Sequence, residues 1–279
     1  MKLIESQRQS GRFGRRRFRR IQPRPGTQPQ AQGQGQGQAR GQLQARPVTQ
    51  GARRRRRLLV VVAASAVLVV ALGLVRYEVM PRYRPNLKAG EQFGIDVSNH
   101  QGEIRWDQVA ASNISFAYIK ATEGQDFRDR RFAANWAQAR AAGIARGAYH
   151  FFTLCSSGAA QAKNFLAALP ADPDALPPAV DLEFSSCSQR PDRATVQSQL
   201  RTFVNLVEAR VGQPVVIYGL AAFEKAYPIE SVLPRDRWRR SLFRRPVRHD
   251  WAIWQVSSLT RVKGIDGPVD LDVRRGSGQ

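Results

Sequence analysis

Two acids spaced two residues apart close an apolar run, Ala179-Val180-Asp181-Leu182-Glu183. In an extended strand alternate side chains share a face, so Asp181 and Glu183 point the same way with Cα atoms about 6.5–7 Å apart. Two further runs carry acids in the same manner: Asp96 follows Phe93-Gly94-Ile95, and Asp270 and Asp272 sit in Val269-Asp270-Leu271-Asp272. A carboxylate in an apolar strand is costly to bury unless a cation pairs with it or it has chemistry to perform. Converging carboxylates suit glycosidic cleavage, where one acid must keep its proton for the leaving oxygen and its neighbours raise its pKa. The competing reading makes each acid a helix cap or a partner of one of the many arginines. Several such acids at or near strand ends favour the first.

Aromatic residues accompany the acids. Tyr149 and Phe151 share one face of Gly147-Ala148-Tyr149-His150-Phe151-Phe152, and Tyr218 and Trp254 end strands of their own. Aromatic faces stack on the apolar faces of sugar rings, although each of these rings alone serves as well in a core. His100, His150 and His249 show no ligand spacing. No metal and no cofactor is therefore expected, with Mg²⁺ or Ca²⁺ on the carboxylates as the alternative. No elbow motif marks a Ser or Cys nucleophile.

The acids need elements to position them. From residue 93 onward, short apolar runs alternate with helical periodicity, at 93–97, 116–121, 145–152, 178–182, 214–218, 250–255 and 268–273. Helices are expected at about 129–142, 157–168 and 192–211, and one more strand falls in the poorly patterned 228–249. This alternation predicts a parallel α/β domain with enough strands for a barrel, whose C-terminal strand ends converge on one face. Cys155 and Cys187 follow two successive strands, so their loops lie close and a disulfide is expected, with free thiols as the alternative.

Charge and hydropathy separate the rest of the chain from this domain. Residues 1–57 hold +15 of the total +22, and their Arg-rich runs and Gln/Gly/Pro repeat predict a disordered tail. The remaining chain is only modestly basic, which argues against nucleic acid as the partner of the whole protein. The tail itself reads as a topology signal with solvated charge, with binding to nucleic acid or anionic lipid as the alternative. Residues 58–75 are eighteen uncharged, Val/Leu/Ala-rich positions directly behind five arginines, 53–57. At 1.5 Å per residue they span about 27 Å, enough for a transmembrane helix. The arginines place the preceding end in the cytoplasm and the domain beyond the cytoplasmic membrane. A cleaved signal peptide and a buried core helix are the weaker readings. Residues 76–92 then form a linker.

The motifs, taken in order, resemble glycoside hydrolase family 25, the Chalaropsis-type lysozymes. They are Phe93-Gly94-Ile95-Asp96-Val97-Ser98 with Gln101-Gly102 and Trp106, then Lys120-Ala121-Thr122-Glu123-Gly124, Gly147-Ala148-Tyr149-His150-Phe151, Val180-Asp181-Leu182-Glu183, Trp254-Gln255 and Gly267-Pro268-Val269-Asp270-Leu271. The resemblance covers about 93–275 and implies an irregular (β/α) TIM-like barrel that cleaves the β-1,4 bond between N-acetylmuramic acid and N-acetylglucosamine of peptidoglycan. It implies Glu183 as general acid, Asp181 orienting the 2-acetamido group or a water, and Asp96 and Asp270 completing an acidic cleft. Tyr149, Phe151, Tyr218, Trp254 and Gln255 are the expected substrate contacts. Asp272 stands where the family usually has Asn. The segment Trp238-Arg239-Arg240-Ser241-Leu242-Phe243 matches the family's Trp-containing strand only loosely. The alternative function is a catalytically inactive peptidoglycan-binding scaffold, which loss of an acid would favour; all four family acids are present. Oligomeric state is not legible in the sequence.

Overall fold

The computed structural model describes residues 50–184, 187–248 and 250–276. The tail up to residue 49 and His249 lie outside the described residues. Nine strands form one sheet: β1 (Gln92–Val97), β2 (Phe116–Glu123), β3 (Phe127–Arg128), β4 (Ala145–Phe151), β5 (Ala179–Leu182), β6 (Val216–Gly219), β7 (Arg237–Arg240), β8 (Ile253–Thr260) and β9 (Val269–Arg274). The order is β1-β9-β8-β7-β6-β5-β4-β2-β3, and pairing of β1 with β2 closes eight strands into a barrel, with β3 as a hairpin arm on β2. The barrel is α/β, as the alternation predicts, and β7 is the strand expected within 228–249.

One expectation needs correction. The barrel is not wholly parallel: β9 runs antiparallel to both of its neighbours, β1 and β8. No helix separates β8 from β9, and a hairpin joins adjacent strands only when they are antiparallel. Asp270 therefore reaches the cleft from the beginning of its strand, where the parallel strands present their ends.

The helices are α1 (Gln50–Leu74), α2 (Trp106–Ala110), α3 (Phe132–Ala141), α4 (Gly158–Ala168), α5 (Arg193–Val211) and α6 (Ala221–Ala226). The boundaries of α4 and α5 follow from capping chemistry. Ser157 accepts the amide of Ala160, and Asp192 accepts that of Thr195, each filling an unpaired helix-end donor. Helix α5 stops at Gly212, whose φ of 75° is the left-handed conformation that glycine adopts without strain. Its buried face, Val196, Leu200, Phe203, Val204 and Val207, has the spacing of one helical stripe.

Strand alternation divides the core in two. Phe116, Tyr118, Ala179, Val216, Tyr218, Trp238 and Ile253 fill the barrel lumen. The intervening residues, such as Ala117, Ile119, Val180 and Ile217, pack outward against the helices. Each large side chain so buried stabilises the fold by about 1.5–3 kcal/mol. The lumen rings need glycine opposite them. A Cβ on Gly94 would stand 2.3 Å from the Phe116 ring, and one on Gly147 would stand 2.5 Å from the Tyr118 ring.

Helix α1 is different in kind. Leu59, Val67 and Val69 are 67–69 % exposed, and an 18-residue window of this helix has mean hydropathy 3.0 with no part buried. It is long and apolar enough to cross a membrane. Beyond it the helix widens into a π-helical turn, Val75–Val79, and then narrows to a 3₁₀ turn, Met80–Arg82. It then lies against the barrel. Pro81 is buried and its carbonyl accepts the Arg261 amide at 3.1 Å. Tyr83 meets Phe243 edge-on, with ring centres 5.5 Å apart, and its hydroxyl donates to the Phe243 carbonyl. Further on, Arg245 donates to the Asn86 carbonyl at 3.0 Å and to buried Glu91 at 2.8 Å.

Candidate active site

The C-terminal ends of the parallel strands and the start of β9 enclose a cleft of about 310 Å³. It is lined by Asp96, Asp181, Glu183 and Asp270, with Tyr149, Phe151, Tyr218 and Gln255 on its walls. Register explains the convergence. Asp96 on β1 stands opposite Asp270 on β9, and Asp181 on β5 lies between Phe151 on β4 and Tyr218 on β6. Four acids far apart in sequence thus share one end of one barrel.

Hydrogen bonds fix several of them. The Tyr218 hydroxyl donates to Gln255 Oε1 at 3.0 Å, and Gln255 Nε2 donates to Asp96 Oδ2 at 3.2 Å. Tyr218 also stands beside Glu183 and holds its carboxyl down. Asp181 differs: its Oδ1 is buried and has no hydrogen-bond partner among the described residues. An acceptor left unpaired in this way is expensive, and a substrate N–H or a water that fills it recovers that cost.

Burial makes ionisation of the whole cluster difficult. It pushes the carboxyls of Asp96 and Asp181 well above the usual range, and neighbouring acids push in the same direction. Asp270 rises to about 6 through burial, with Arg240 opposing and Glu183 adding. Glu183 also rises through burial, held back by Tyr218, Arg240 and Lys120. The half-buried Glu183 thus retains a proton more readily than a free glutamate while remaining open to the cleft.

The lining also includes residues that sequence reasoning did not single out as site residues: Lys120, Trp238, Arg240, Ser98 and His100. Lys120 Nζ donates to Glu123 at 2.6 Å and lies 4.8 Å from the centre of the Phe151 ring. A charged residue inside the apolar stretch Phe116-Ala117-Tyr118-Ile119-Lys120-Ala121 is the signal that marks it. Arg240 carries no such signal, because its strand, Arg237-Trp238-Arg239-Arg240, has too many arginines to show an alternation.

Trp254 requires correction. It is fully buried on the outer face of β8, where its indole donates to the Ser241 carbonyl at 2.8 Å and its ring lies beneath Arg245. Strand alternation turns Gln255 into the cleft and therefore Trp254 away from it; Trp238 supplies the indole in the lumen. His150 likewise serves packing. It bonds Thr122 and Gln161, stacks on Phe203, and burial lowers its pKa to about 4. The expected disulfide joins Cys155 and Cys187 across the loops after β4 and β5, with Cα atoms 5.9 Å apart.

A closed α/β barrel whose strand ends carry clustered carboxyls walled by aromatic rings is the architecture of a glycoside hydrolase. Residues 95–265 match the family model of glycosyl hydrolases family 25, and the chain belongs to that family. It is 38 % identical to Lysozyme M1 of Streptomyces globisporus over 200 residues, spanning 66 % of this chain and 68 % of that protein. The structure of a family 25 glycosyl hydrolase from Bacillus anthracis superposes with a TM-score of 0.64 at 32 % identity, covering 71 % of this chain and 94 % of the other. A bacterial lysozyme from Streptomyces coelicolor gives 0.62 at 33 % identity, covering 68 % and 95 %. The enzyme is a glycoside hydrolase, and its lysozyme family implies a peptidoglycan substrate.

Proposed function

We propose that this protein is a membrane-anchored 1,4-β-N-acetylmuramidase that hydrolyses the bond from N-acetylmuramic acid to N-acetylglucosamine in peptidoglycan. Glu183 is the general acid. Its raised pKa keeps a proton available, and that proton passes to the glycosidic oxygen as the bond to the anomeric carbon breaks. Asp181 accepts the N–H of the 2-acetamido group, or orients a water, through its buried Oδ1, which has no hydrogen-bond partner among the described residues. Asp96 and Asp270 complete the acidic cleft. Tyr149, Phe151, Tyr218 and Gln255 hold the sugar rings.

The observation that carries this reading is the position of Asp181 and Glu183 together at the end of β5, with an unsatisfied carboxylate oxygen beside the proton donor. A single transmembrane helix over 58–75 anchors the enzyme in the cytoplasmic membrane. The arginines at 53–57 hold residues 1–57 in the cytoplasm, and the catalytic domain, 93–275, lies beyond the membrane after the 76–92 link.

The test is mass spectrometry of products released from purified peptidoglycan by the full chain in detergent, beside Glu183→Gln. Fragments with reducing N-acetylmuramic acid ends from the wild type alone support the reading. Folded wild type that binds peptidoglycan and releases nothing sinks it in favour of a non-catalytic scaffold.

A further inference from the structure

The chain leaving the membrane helix meets the barrel at the same end as the cleft. Glu183, Arg240 and Gln255 mark the cleft end of β5, β7 and β8, which run parallel. Arg261, whose amide binds the Pro81 carbonyl, follows β8 directly at that end. Phe243, on which Tyr83 packs, stands three residues beyond Arg240. From there the chain runs back along the barrel, past Asn86 and Glu91 held by Arg245, to begin β1 at the opposite end.

This path limits how far the cleft rim stands from the bilayer. The uncharged run ends at Val75, and Pro81 is already buried on the barrel. Six residues of helical chain advance about 9 Å. The segment docks through a hydrogen bond from the Arg261 amide to the Pro81 carbonyl, a ring contact at Phe243 and an ion pair at Arg245, so it is no loose leash. The rim it reaches also suits a phosphate-bearing surface. The side chains of Arg244 and Arg261 are exposed and have no acidic partner among the described residues.

We propose that the substrate is newly polymerised glycan at the membrane surface, still attached to its polyprenyl diphosphate, rather than wall material further out. The inference rests on the muramidase and membrane-span readings above and adds the class of strand the cleft meets. A cleft held at a fixed, short height cuts a lipid-attached strand near its lipid end.

The experiment reconstitutes the full chain in liposomes of phosphatidylglycerol and phosphatidylcholine in which polyprenyl-diphosphate-linked strands have been polymerised. Mass spectrometry then measures the length of glycan left on the lipid. A second protein carries a Gly/Ser insertion of about 20 residues after Arg76, with an r.m.s. span of roughly 25 Å. It leaves the docked segment and the catalytic residues intact. Enzyme and substrate share one bilayer in both cases, so the comparison separates pose from co-localisation. The expected result is short, narrowly distributed lipid-linked stubs from the wild type and a shift to longer, broader ones from the insertion. Stubs of random length from the wild type, or an unchanged distribution after insertion, overturn the inference while leaving the muramidase reading standing. Failure of the detergent-solubilised enzyme to cut soluble glycan fragments overturns both.

Discussion

The carboxyls of Asp96 and Asp272 are hydrogen-bonded to one another inside the barrel. Asp272 is fully buried and takes the Trp238 indole N–H on Oδ1 at 2.9 Å, while its Oδ2 receives no donor. Two carboxyls can bond directly only if one of them keeps its proton. Burial raises both carboxyls well above the usual range, but the bond they share lowers Asp96 and raises Asp272, so Asp272 is the partner that keeps the proton. A neutral acid in the lumen thus steadies the carboxylate on β1 that faces the cleft.

Asn satisfies both contacts of Asp272, accepting from Trp238 and donating to Asp96. Asp272→Asn is therefore expected to retain kcat within a few-fold. Asp272→Leu removes the donor to Asp96, and a hydrogen bond to a charged group is worth about 1.5–3 kcal/mol, a loss of roughly ten- to hundredfold in kcat. A pH–rate profile of kcat/KM distinguishes this from general damage, because losing the donor moves the acid limb upward. Equal activity of the two variants would remove the role.

Asp270 supplies a test in stability. Its folded-state pKa, raised from 3.8 to about 6, means the fold favours its protonated form. That contribution is fully present below the unfolded pKa and is lost as pH rises through about 6. Asp270→Asn cannot titrate. Its Tm should fall less than that of the wild type between pH 4.5 and pH 7, by about 2–4 °C for each kcal/mol removed. His150 acts in the opposite sense, since its lowered pKa makes acidification costly, but it is common to both proteins. Parallel Tm–pH curves would contradict the assignment.

The two proteins of that experiment differ at a residue the sequence exposed readily. Asp96, Asp181, Glu183 and Asp270 were legible because a carboxylate inside an apolar strand costs too much to bury without a cation or a chemical role. The barrel was legible from the alternation that carries them. The direction of β9 was not legible, since period-two alternation reads the same whichever way a strand runs. Trp254 misled because a strand-end aromatic looks alike on either face, and only pairing with Gln255 decides which one turns inward. Strand β7 had no clear pattern, as Arg237, Arg239 and Arg240 hide the apolar positions around Trp238. The docking of residues 81–91 had no local signal at all. It depends on Phe243, Arg245 and Arg261, which are distant in sequence.

The disulfide makes a further prediction. Cys155 and Cys187 close a loop at a sequence separation of 32, reaching from the end of one cleft-forming strand past the next. Restricting the unfolded chain in this way stabilises by about 3–4 kcal/mol on the loop-entropy account. Cys155→Ser combined with Cys187→Ser should lower the midpoint of urea unfolding by a corresponding amount with m little changed. The double variant should retain muramidase activity under conditions where it remains folded, because neither sulfur lines the cleft. An unchanged midpoint would mean that the link contributes nothing to the fold.

Gly94 allows the last prediction to be framed as a coupling. Its missing Cβ leaves room for the Phe116 ring, since the added atom would stand 2.3 Å from that ring. Both residues lie in the lumen below the acids, where the ring is fully buried and a shift would move β1 and β2 apart. Gly94→Ala alone should cost about 1–3 kcal/mol by overpacking. Phe116→Leu alone leaves space and costs by the cavity it creates. In the double variant the new methyl enters the space the ring has left, so the combined loss should be smaller than the sum by about 0.5–3 kcal/mol. Urea unfolding of the four proteins measures that difference. Strict additivity would show that the glycine answers a backbone requirement and not the ring. Because Asp96 follows two residues along the same face of β1, the single Gly94→Ala variant should also lose kcat more than it raises KM.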